Sequence, residues 1–204
     1  MQDLLAKGGA LVAPILFCSV LAFAIFVERF IRFTILRNRG QMVDEQVTRS
    51  LAENDLKSAA RTASDSKSPM GRILAQAMDV MGQDRETLET VLANAIEEEV
   101  RDLSRYLQAL ATIANIAPLL GLLGTVIGMI KAFMVIQEMG GKVNAAVLAG
   151  GIWEAMLTTA LGLAVALPTM VAHSYLVSQV DRYEARLQAG TVRFVKTLGS
   201  LPRN

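Results

Sequence analysis

The 204-residue chain holds one cysteine, one histidine, one tryptophan and five prolines, and only 5% of it is aromatic. A single cysteine, Cys18, excludes an internal disulfide and any cysteine-based zinc cluster; in its apolar run it reads as a small packing residue. The formal net charge of +1 removes any general attraction to nucleic acid. No GxxxxGK[ST] run and no GxGxxG after a strand offers a phosphate cradle. HExxH, GxSxG and an aspartate pair within an apolar run are also missing, which excludes the familiar intramembrane hydrolase chemistries. The chain therefore reads as a non-enzyme that calls for no cofactor and no metal.

Long apolar runs are abundant: 52% of the residues are apolar. A bilayer core takes about 20 apolar residues as helix. Gly8 to Val27 carries no charge and is followed at once by Glu28, Arg29, Arg32, Arg37 and Arg39. Those flanks describe a stop-transfer anchor and not a cleaved signal peptide. A second run, Ile113 to Ile136, contains Lys131 as its one charge, and a third, Ala145 to Val177, contains Glu154 and His173. Arginines follow the first and third runs, so the positive-inside rule puts the amino terminus outside and the carboxy terminus in the cytoplasm. The expected fold is all-α: an integral membrane protein with three transmembrane helices and a helical cytoplasmic region, long helices continuing from the membrane into the cytoplasm. Its expected parts are a first span within 1–33, a cytoplasmic helical region 34–110, a second span 111–137, a periplasmic turn 138–144, a third span 145–178 and a cytoplasmic tail 179–204.

In the cytoplasmic region, helical spacing breaks near Asn54, and "DSKSP" (Asp65 to Pro69) marks a turn by its serines and proline. Met70 to Met81 reads as a further helix. Beyond it, Leu88, Leu92, Ile96, Val100, Leu103, Leu107 and Leu110 recur at gaps of three and four, one face of a helix. With no proline before Pro118, that helix is expected to run unbroken into the second span. Glu97 to Glu99 reads most simply as a solvated face, and otherwise as a ring of acid about a portal if copies assemble around an axis.

The second span is unusual in its glycines, each costing about 1 kcal/mol of helix propensity. At 100° per residue, Ala114, Pro118, Gly121, Gly128 and Ala132 fall within about 60° of Thr125. In the third span Gly151, Ala155, Gly162, Ala166, Thr169 and His173 share one side, with Thr158 and Thr159 on its flanks and Glu154 at its edge. The bulky residues of both spans lie elsewhere. Stripes of small residues allow helices to approach closely in lipid. Two readings of them stand: packing within one subunit, or a face toward other protein or a narrow lumen. Glu154, in turn, either snorkels or serves as a titratable group in a pathway. For Lys131 and His173, near the span ends, reaching the interface is the default.

"APLLGLLGTVIGMIKAF" (Ala117 to Phe133) and "GGIWEAMLTTALGLAVALPTMVAHSYL" (Gly150 to Leu176) resemble the two core motifs of the ExbB/TolQ/MotA proton-channel family, and most closely those of ExbB. Three spans fit ExbB or TolQ and not the four of MotA. The resemblance implies an inner-membrane homo-pentamer around a pore, an ExbD-like single-span partner within it, and a TonB-like transducer that receives the work. It further implies that Thr125 and Thr159 line the pore and that Glu154 matches the family's acid in the third span, with Thr158 beside it. Gly121, Gly128, Ala155 and Gly162 form the helix-packing stripe. Trp153 beside the acid and Lys131 near the outer mouth depart from the family pattern. A TolQ-like role in outer-membrane integrity and a passive membrane scaffold are the alternatives.

Overall fold

The computed structural model describes residues 11–138 and 145–200, with the backbone alone at 36–42 and 145–147. Asp3, Lys7 and most of the expected periplasmic turn at 138–144 lie outside the described residues. All regular structure within them is helical, in agreement with the expected all-α class. The order is α1 (Val12–Ala52), α2 (Leu56–Asp65), α3 (Pro69–Asp79), α4 (Arg85–Ser104), α5 (Leu107–Glu138) and α6 (Ala145–Gly199). Three stretches, within Val12–Ile35, Arg85–Glu138 and Leu148–Gly199, are long and apolar enough to cross a membrane. Pro118 and Pro168 lie inside α5 and α6; a proline within a span is tolerated where neighbouring groups re-satisfy the freed carbonyl.

The chain divides into two units, Met1–Glu28 with Tyr106–Tyr175, and Arg29–Arg105 with Leu176–Asn204. In the second unit the helix ends follow from short polar side chains. α1 stops where Asn54 takes φ 60°, a left-handed conformation that asparagine adopts more readily than most residues. The Asp55, Ser68 and Asp84 side chains then accept the Ser58, Gly71 and Thr87 amides and cap α2, α3 and α4. Hydrogen bonds from Ser58 and Thr87 hold the Asp55 and Asp84 carboxyls below the usual aspartate range. Pro69 sits at the start of α3, where its missing N–H costs nothing. Val47, Leu51, Ile73, Leu74, Leu103, Leu176, Leu187 and Phe194 are buried and form the core of this unit.

Two features of the second unit differ from the sequence expectation. The helix expected to run unbroken toward the second span ends at Ser104, and Tyr106 stands at φ 68°. The cause is Arg29, whose buried guanidinium donates to the Asp102 and Leu103 carbonyls at 3.1 and 3.5 Å. Those are the acceptors that a continuing helix would give to residues 106 and 107. Arg32 adds an ion pair to the Asp102 carboxylate. Secondly, the Glu97 to Glu99 run is not one solvated face. Glu97 and Glu98 are exposed, but Glu99 is 9% exposed because it shares the stripe of Leu88, Leu92, Ala95 and Leu103. Arg72 grips both of its oxygens at 2.5 Å, a bidentate pair that offsets the cost of burying the carboxylate. The bond to Glu99 also raises the Arg72 pKa further.

Candidate functional site in the membrane spans

In the first unit the buried face of α5 consists of Leu107, Leu110, Ile113, Ala114, Ala117, Gly121, Gly124, Gly128 and Ala132. It meets Ala155, Thr158 and Gly162 of α6 with almost no side chain between the backbones. A methyl group at Gly121 would lie 2.9 Å from the Thr159 Cα, and one at Gly128 would lie 2.9 Å from the Ala155 Cβ. At Gly162 it would lie 2.6 Å from the Ala117 carbonyl oxygen, and at Gly151 2.6 Å from the Ala132 Cβ. Such distances leave no room for alanine without a shift of backbone. The helix propensity given up by these glycines is exchanged for dispersion contact and for approach of polar backbone, which carry helix association where lipid supplies no hydrophobic drive.

Gly121, Gly128, Ala155 and Gly162 thus meet one another within one chain. Gly124 and Ala117 belong to the same seam and are absent from the stripe that spacing alone picks out. Gly124 falls about 60° away from Gly121, and only the Thr158 side chain opposite it, which a methyl group at Gly124 would overlap, reveals its role.

The four polar candidates are not brought together at one point. Thr158 is 2% exposed, lies inside the seam and donates to the Ala155 carbonyl at 2.7 Å. Thr159, half-buried, reaches across the seam and donates to the Gly121 carbonyl at 2.8 Å. Thr125, also half-buried, donates to Leu122 of its own helix at 2.6 Å. Relative to the seam, Thr125 lies about 40° from Gly121, and Thr159 about 100° from Thr158, in the same rotational sense. In an antiparallel pair the same sense means the same flank, so the two hydroxyls share one side of the seam. Glu154 is displaced about 40° in the opposite sense and lies on the other flank. There its Oε1 is 3.8 Å from the Lys131 Nζ.

Each hydroxyl donates its one proton to a carbonyl and keeps lone pairs for accepting. Thr125 and Thr159 therefore offer a flank that accepts hydrogen bonds from water or from a protonated acid. The remaining surfaces of α5 and α6 are bulky and exposed: Leu119, Val126, Ile130, Met156, Leu167 and Val171. Among the described residues, no three His, Cys, Asp or Glu side chains could hold a metal ion together.

A close-packed pair of long apolar helices, with two hydroxyls on one flank and an acid on the other, belongs to a helical protein with three stretches able to cross a membrane. Residues 65–189 match the model of the MotA/TolQ/ExbB proton channel family; that is more than half of the chain, and the chain belongs to this family. Among its relatives, the biopolymer transport protein ExbB of Salmonella typhimurium is 30% identical over 184 residues, covering 85% of this chain and 74% of that one. The biopolymer transport protein exbB1 of Vibrio cholerae is 29% identical over 191 residues, 92% of this chain and 84% of the other. A shorter match to the ExbB of Aquifex aeolicus reaches 41% over 80 residues, 39% of this chain and 53% of that protein. The protein is accordingly a membrane subunit of proton-channel type.

Proposed function

We propose that this chain is the ExbB-like subunit of an inner-membrane complex that uses the proton motive force to energise TonB-dependent outer-membrane transport. Five copies surround an axis, and the transmembrane helix of an ExbD-like partner stands inside. Its acid exchanges protons along the flank that carries Thr125 and Thr159, and a TonB-like protein takes up the resulting motion. Thr158 in the seam and Glu154 on its far flank complete the set of polar groups assigned to proton transfer. The amino terminus is periplasmic, the tail beyond residue 178 is cytoplasmic, and spans fall within 1–33, 111–137 and 145–178. One charge moved across the potential is worth about 2.3 kcal/mol per 100 mV, enough to bias a conformational cycle only if the pore is sealed when idle.

The observation that carries this reading is the pair of hydroxyls on one flank of an otherwise oily helix pair, in a chain of this family. The glycine stripe does not carry it, since the stripe is occupied within the subunit. The test is transport by cells whose only copy carries Thr125→Val or Thr159→Val. A hydrogen bond between neutral groups is worth about 0.5–1.5 kcal/mol, so each variant is expected to lose about two- to tenfold of energised uptake at unchanged expression and assembly. Full uptake by the double variant would remove the hydroxyls from the pathway. Glu154→Gln is likewise expected to lower uptake while assembly persists.

A further inference from the structure

Between Ile113 and Ile136 the sole Asp, Glu, Lys or Arg is Lys131; between Ala145 and Val177 it is Glu154. These two opposite charges, from different helices, stand 3.8 Å apart. The sequence default for Lys131, reaching for the interface alone, does not account for that. The Glu154 side chain is one-third exposed and the Lys131 side chain 59% exposed, so in water such a pair would be worth little. Within a bilayer the alternatives are worse for the acid than for the base. Glutamate is shorter than lysine and reaches less far toward the interface, while lysine reaches it by itself. Removal of Lys131 therefore strands a carboxylate, whereas removal of Glu154 strands nothing.

We propose that Lys131 is a positioning residue: its ammonium holds Glu154 on the flank opposite Thr125 and Thr159 and straps α5 to α6 beside the Gly128–Ala155 and Gly151–Ala132 contacts. The strap keeps the carboxylate out of the hydroxyl flank and closes that end of the seam against water. Its consequence for proton flow rests on the channel reading given above; the strap itself does not.

Hydrogen exchange and proton flux of the same samples test the two apart. The intact complex is placed in nanodiscs for exchange and in liposomes with an internal pH-sensitive dye for passive proton entry. In Lys131→Gln, amides of residues 129–137 and 148–156 are expected to exchange about tenfold faster, as for a coupling of about 1.4 kcal/mol, and proton entry to rise in parallel. The Lys131→Gln/Glu154→Gln double variant should be no worse than Lys131→Gln alone. The charge swap Lys131→Glu/Glu154→Lys should restore slow exchange. Wild-type exchange in Lys131→Gln, or a charge swap no slower than the single variant, overturns the strap. Restored exchange with proton entry absent from every sample leaves the strap standing and counts against the channel reading instead.

Discussion

Gly162 shows how much one missing methyl group decides. With the Ala117 carbonyl oxygen 2.6 Å from where a Cβ would stand, Gly162→Ala has to separate α5 from α6 or tilt them. Overpacking of this kind costs about 1–3 kcal/mol. We expect the purified variant to melt at lower temperature in detergent, although alanine is the better helix former; an unchanged melting temperature would mean the seam is looser than described. The stripe residues Gly121, Gly128, Ala155 and Gly162 are legible from spacing alone, because small residues recurring at gaps of three and four stand out in an oily span. What they touch is not legible. The Lys131–Glu154 pair depends on the register of two helices against each other, and no local pattern encodes register across a turn.

At the scale of elements, the sequence displays the breaks that its own residues make and hides those made from a distance. Asn54 and the serines and proline of Asp65 to Pro69 announce helix ends by their side chains. The end of α4 at Ser104 has neither glycine nor proline to announce it; it depends on Arg29, far away in sequence, taking the last carbonyls. Glu99 escapes a reading by composition for a similar reason, since a charge run hides the one member that falls on the apolar stripe. Tyr183 of α6 sits beside that buried pair. Burial pushes its hydroxyl up to about 12, and the charge of Glu99 adds to the effect. Its folded value lies above the unfolded value of about 10, so its contribution to stability is complete below pH 10 and is lost as pH rises toward 12. Among the described residues the hydroxyl has no hydrogen-bond partner. Tyr183→Phe should therefore leave stability at pH 7 unchanged or raise it by about 1 kcal/mol. It should also flatten the loss of stability between pH 10 and 12, read by thermal unfolding across that range. A variant as alkali-sensitive as the parent would assign the slope to another group.

For the molecule as a whole, the all-α class and the three apolar stretches follow from composition and run length, and the family follows from the two span motifs. The oligomeric arrangement does not follow from either, because one chain satisfies its small-residue stripes by itself. The central claim is that the flank bearing Thr125 and Thr159 faces an axis shared by several copies. Nitroxide spin labels attached to the thiols of Thr125→Cys and Thr159→Cys, each in a Cys18→Ala background, measure it most directly. The readout is collision with oxygen, which concentrates in lipid, and with a water-soluble nickel chelate. The account predicts that both labels in the assembled complex are shielded from oxygen relative to a label carried by Leu119→Cys. Oxygen collision at both positions equal to that at Leu119 would place the hydroxyls against acyl chains and contradict it.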